Sequence, residues 1–238
     1  NHLYQIIDLG CYIYKYFDII WLYKTIYYIK IYRNNSKEPK LSFVVYSIKG
    51  GVGKTTLSVQ ISQMFDYTYV TNDSHSSAHN LMPEEKGFLV SSEEYDEIPF
   101  DENIVYDFGG FKDTRINNII KQANKIIIPT LTSIVDVQAT MATLKDVAQI
   151  NKNIIIAINR TKNNNKAIEL KEYLAEEIKK SFQDLDISII FVRESSVLED
   201  SLFDCEYVET KAGTNRFKRH IYRNAIEDMT ILKKDLEK

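Results

Sequence analysis

The sequence calls for a doubly wound α/β domain built on a mostly parallel sheet. Short runs rich in Val, Ile, Tyr and Phe alternate with longer stretches of helical period, and the connections between them are short. A glycine-rich turn joins the first such run to the first helix, at the strand end where folds of this class place their ligands. At 238 residues the chain accommodates one α/β core of about 200 residues, and no second domain is required.

Residues 1–40 stand apart from that pattern. They hold eight of the sixteen tyrosines and eight isoleucines, apolar on every face, as in Tyr12-Ile13-Tyr14-Lys15-Tyr16-Phe17. Asp8, Lys15, Asp18, Lys24 and Lys30 interrupt every apolar run well short of the roughly 18–20 residues that span a bilayer. A transmembrane helix is therefore not expected, and neither is a signal peptide. Three readings stay open: a sticky helix at an interface or membrane surface, a strand pair, or translated upstream sequence. The segment receives no chemistry, and the domain is expected to run over 41–238, after a polar, proline-containing linker at 33–40.

Strands are predicted at 42–47, 67–72, 103–107, 125–129, 153–158 and 187–192, and helices at 54–65, 113–123, 135–150, 165–182 and 215–236. Residues 74–102 contain Pro83, Gly87 and Pro99 without clear periodicity and read as an irregular excursion over the edge of the site.

The first strand runs into Lys49-Gly50-Gly51-Val52-Gly53-Lys54-Thr55-Thr56. Closely spaced glycines let backbone N–H groups turn inward around an anion, and the following helix adds its positive end. Lys54 supplies a charge for the β- and γ-phosphates, and Thr55 can ligate Mg²⁺. A tight turn alone could explain the glycines, but not the flanking lysines. The standard motif needs a glycine five residues before Gly53, where this chain has Ile48, and a second lysine, Lys49, opens the loop instead. That arrangement resembles the deviant Walker A loop of the ParA/MinD family of ATPases. The resemblance implies ATP and Mg²⁺ as cofactors, a homodimer closed on ATP, and a Lys49 that reaches the partner's nucleotide. Catalytic roles would then belong to Lys49, Lys54 and Asp73.

Later segments resemble the family in the same order. Ile104-Val105-Tyr106-Asp107, followed by Phe108-Gly109-Gly110, resembles its Walker B strand and second switch, which gives Asp107 the Mg²⁺ ion, held through water. Tyr69-Val70-Thr71-Asn72-Asp73 resembles its first switch, with Asp73 arranging the attacking water and Thr71 standing where the family commonly has another aspartate. Both aspartates also suit turns and helix caps. Residues 126–130 resemble the family's strand and Pro-Thr turn. Asn159 closes the strand 154–158 with an amide able to donate and accept at the adenine edge, as the family's asparagine does. Arg193 occupies the position of a basic residue tied to DNA contact. The likeness spans roughly 41–225 and is most specific at the phosphate loop.

Composition narrows the field. Cys11 and Cys205 are isolated, which excludes a disulfide framework and a cluster held by paired cysteines, and fits a reducing cytoplasm. His75 and His79 share a helical spacing, yet no third metal ligand accompanies them. Formal charge is −3 overall, but residues 211–238 carry eight Lys/Arg against four Asp/Glu. Arg216, Arg219 and Arg223, with Lys218 beside them, place a basic stripe on one helix face, suited to a polyanion.

The leading expectation is a ParA-like DNA-partition ATPase. It would bind nonspecific duplex DNA as an ATP dimer, associate with the nucleoid, and hydrolyse ATP when a ParB-like centromere-binding partner stimulates it. A MinD-like positioning ATPase on the membrane is the alternative. The last ten residues, with acids among their lysines and no terminal aromatic, argue against it. A metabolic ligase on the same fold is a third class, against which Lys49 argues.

Overall fold

The computed structural model describes residues 41–91, 94, 101–109, 114–162, 164–182 and 185–238. The extension at 1–40 and Gly110 lie outside them. Seven strands are present: β1 (Phe43–Ser47), β2 (Thr68–Thr71), β3 (Gly87–Leu89), β4 (Ile104–Gly109), β5 (Lys125–Thr130), β6 (Ile154–Thr161) and β7 (Ser188–Arg193). They form one sheet in the order β3-β2-β4-β1-β5-β6-β7, and every pair is parallel. The expected doubly wound α/β class is the observed one.

The α-helices are α1 (Lys54–Phe65), α2 (Ala78–Leu81), α3 (Asn117–Gln122), α4 (Ile134–Val147), α5 (Asn164–Ser181), α6 (Ser196–Asp204), α7 (Val208–Ala212) and α8 (Arg216–Leu236), with a 3₁₀ turn at Thr114–Ile116. Because helices cover the sheet, β1 is buried at all five positions, which is why it reads as a continuous apolar run rather than an alternating one. Phe43 and Val45 on one side of β1 meet Leu57 and Ile61 of α1 and Met229 and Leu232 of α8. Beside them Phe43, Phe65 and Tyr67 form an aromatic cluster with ring centroids 5.3 to 6.0 Å apart.

Five elements depart from the sequence reading. Residues 74–102 contain α2 and the edge strand β3, which pairs Tyr69 with Gly87. A three-residue strand shows no period, and Gly87 is needed because a Cβ there would lie 2.2 Å from the His79 carbonyl oxygen. Helices α6 and α7, of nine and five residues, fall where no helix was expected. Strand β6 continues past residue 158 to Thr161, with an irregularity in its pairing to β7 that places Arg160 at φ 51°.

Candidate nucleotide-binding site

The glycine-rich loop leaves the central strand β1 and enters α1. Gly51 and Gly53 have φ of 75° and 90°, values that favour glycine. At Gly53 a Cβ would also fall 2.0 Å from Asn159 Nδ2. No side chain caps α1, so its first-turn N–H groups face the loop, where an anion is the natural acceptor. Gly50 and Gly51 are exposed, while Val52 is buried and its carbonyl accepts a 3.0 Å hydrogen bond from Asn159 Nδ2.

Lys54 folds back over the loop and donates to the Lys49 carbonyl at 3.1 Å. Its aliphatic end lies across Gly109, where a Cβ would come within 2.0 Å of Lys54 Cε. Burial lowers the Lys54 pKa, and the charges of Asp107 and then Asp73 oppose that shift. The two acids predicted at the ends of β2 and β4 therefore both act on this amine.

Asp107 is 2 % exposed. Burial raises its pKa, against the hydrogen bonds of Tyr69 and Thr55 and the charge of Lys54. A buried carboxylate beside the Thr55 hydroxyl is an all-oxygen donor set, which suits a hard cation such as Mg²⁺. Asp73 is exposed at the head of a turn, its Oδ1 accepting from the His75 N–H at 2.9 Å. The Gly109 N–H donates to Asn72 Oδ1 at 3.2 Å, which ties the two strand ends together.

Lys49 is held by Asp136, with Nζ 3.3 Å from Oδ1. Asp136 is a buried residue of the first turn of α4. Its N–H donates to the capping Ser133 Oγ at 3.2 Å, and that hydroxyl donates back to the carboxylate. Among the described residues no cluster of three or more His, Cys, Asp and Glu side chains is arranged to hold a metal.

Lys49, the loop from Gly50 to Thr56, Asp73 and Asp107 thus meet at the carboxyl ends of β1, β2 and β4. Thr56, Asn159, Arg160, Ser195 and Glu199 line an adjoining cleft. The amide of Asn159 is engaged with the loop below it: Oδ1 accepts from the Arg160 N–H at 2.9 Å while Nδ2 serves Val52. Arg193 is engaged too. Its guanidinium bonds Asp228 at 2.6 Å, Glu227 at 2.7 Å and the Asn224 carbonyl at 3.0 Å, and its N–H donates to Asp228 at 2.8 Å. These bonds raise its pKa further and pin α8 to the end of β7. A phosphate contact by Arg193 would compete with the buried Asp228 for its charge.

Arg216, Lys218, Arg219 and Arg223 lie in the front half of α8, ahead of the residues that bond Arg193, and all are exposed. Arg219 pairs with Glu209 at 3.5 Å; among the described residues Arg216, Lys218 and Arg223 form no ion pair. Sequence reasoning missed Asp136 and Tyr69. The first had a local signal in the Ser133-x-x-Asp136 capping pattern, whereas Tyr69 had none beyond a core position in a strand.

Residues 43–201 match the model of the CobQ/CobB/MinD/ParA nucleotide binding domain. The chain belongs to this family. No curated protein matches it in sequence. Among solved structures, a putative plasmid partition protein from Borrelia burgdorferi B31 bound to AMPPNP superposes with TM-score 0.53 at 15% identity, covering 83% of this chain and 100% of that one. The septum site-determining protein MinD from Pyrococcus horikoshii OT3, complexed with Mg-ADP, gives TM-score 0.53 at 16% identity, covering 83% and 94%. A Pyrococcus furiosus cell division ATPase MinD gives 0.53 at 12%, covering 82% and 100%. At these identities the likeness is one of fold.

Proposed function

We propose that the chain is an ATP- and Mg²⁺-dependent partition ATPase that binds duplex DNA without sequence preference while dimeric. Lys54 and the loop N–H groups bind the β- and γ-phosphates. Thr55 and Asp107 hold Mg²⁺, which supplies charge neutralisation at the phosphates. Asp73 orients the attacking water, and Lys49, released from Asp136, reaches the phosphates of a second copy. Asn159 keeps the loop in shape from below the cleft that receives the base. A ParB-like partner stimulates turnover at the nucleoid.

One observation carries the DNA part of this reading. Every residue from 213 to 221 is exposed, so the first two turns of α8 project from the body with their cations open to solvent. Two such helices in a dimer act on one duplex as a bivalent ligand. Affinity for random duplex DNA should fall by about 0.9 log units per log unit of salt for each phosphate contacted. Replacing Arg216, Arg219 and Arg223 with alanine should weaken binding by a similar factor on every sequence and flatten the salt slope by up to about five units for the dimer, with nucleotide affinity unchanged. A variant with the wild-type slope would remove α8 from the interface.

Phe217 and Ile221, 73% and 53% exposed among those cations, favour a second reading, a MinD-like association with anionic membranes. No helix among the described residues is long and apolar enough to cross a membrane. Sedimentation of the ATP form with anionic liposomes, without affinity for DNA at low salt, would replace the partition reading with this one.

A further inference from the structure

Tyr69 has no task in the reading above. Its ring is fully buried in β2, and its hydroxyl donates to Asp107 Oδ2 at 2.8 Å across the β2–β4 pair. Two residues on, Thr71 is equally buried. Its hydroxyl donates to the Asp107 carbonyl at 3.2 Å and accepts from the Asp73 N–H at 3.1 Å.

The register makes this possible. Thr71 pairs with Asp107 while Tyr69 pairs with Val105, so side chains two apart on one face of β2 reach the carbonyl and the carboxylate of a single residue. A phenylalanine would fill nearly the same core volume. A phenol in that place must have a hydrogen-bond partner, and the partner here is the carboxylate next to Thr55.

We propose that Tyr69 is a positioning residue for the metal-holding carboxylate, fixing Asp107 through Oδ2, and that Thr71 links the main chain of Asp107 to the turn carrying Asp73. The proposal rests on the assignment of Mg²⁺ to Asp107. One buried pair of hydroxyls then holds the metal ligand and the water-orienting acid in a common frame. Groups behind the residues that hold a metal, directly or through its water, commonly change metal affinity by about 10–100-fold without touching the metal.

The test is Tyr69→Phe in the full chain, which removes one oxygen and keeps the ring. Binding of a fluorescent ATP analogue is measured in EDTA and then across a Mg²⁺ titration. The expected result is unchanged affinity in EDTA and a half-saturating Mg²⁺ concentration raised about tenfold. An unshifted Mg²⁺ midpoint in the folded variant overturns the proposal. Where Tyr69→Phe does not fold, Thr71→Val against Thr71→Ser decides: a shift with Val that Ser restores supports it, and no shift with either overturns it. Failure of the underlying assignment looks different, because Mg²⁺ would then leave analogue binding by the wild-type protein unchanged.

Discussion

Lys54→Ala should abolish nucleotide binding, with affinity for a labelled ATP analogue reduced at least about 100-fold, or roughly 3 kcal/mol. The amine is partly buried over the phosphate loop and is steered there by the Lys49 carbonyl and by a glycine at 109 that leaves it room. Among the described residues no other lysine takes that place, because Lys49 is turned toward Asp136. The fold should survive, since alanine is the best helix former and Lys54 is the first residue of α1. Equilibrium binding, with a thermal melt as control, checks both halves. Unchanged affinity would remove Lys54 from the site.

Asp73→Ala should bind ATP, form the dimer and stop turning over, with hydrolysis at least about 100-fold slower. Among the described residues no substitute acid is in place. Asp107 is buried and bonded to Tyr69, and Thr71, where the family commonly has another aspartate, has its hydroxyl engaged on both sides. Phosphate release gives the rate, and light scattering with DNA present gives the state, which should be a persistent DNA-bound dimer. Wild-type turnover would move the water-orienting role to another residue.

The sheet was legible in the sequence because strands buried on both faces become unbroken apolar runs, as in β1 and β6. Edge strand β3 was not, being three residues long and opened by a glycine whose reason is a clash with His79. Helices α6 and α7 are too short to show a period. At the candidate site, the contiguous loop could be read directly, and the placement of Asp73 and Asp107 near Lys54 followed from their strand ends. What stayed hidden depends on contacts between distant residues. Asn159 turns to Val52, Arg193 to Asp228 and Lys49 to Asp136, and no spacing along the chain announces those partners.

Helix α8 joins two halves of unequal local stability. From Ala225 onward it buries Met229, Leu232 and Leu236 and is held by the Arg193 cluster, so its amides should exchange with solvent only when the domain opens as a whole. Ahead of Ala225 no residue of the helix is buried. The Asn215 cap, accepting from the N–H groups of Phe217 and Lys218, the exposed bonds of Arg219 to Glu209 and the Gly213 carbonyl, the part-buried Tyr222 and continuity with the anchored half oppose fraying more weakly than a buried face would. Amide exchange along this one helix will therefore separate into a fast front and a slow rear. Any polyanion gripping the front must meet an ordering cost of about 1–2 kcal/mol for each residue it stills. The segment that carries the cations is then also the one whose entropy tempers their grip, which favours contacts that form and release readily.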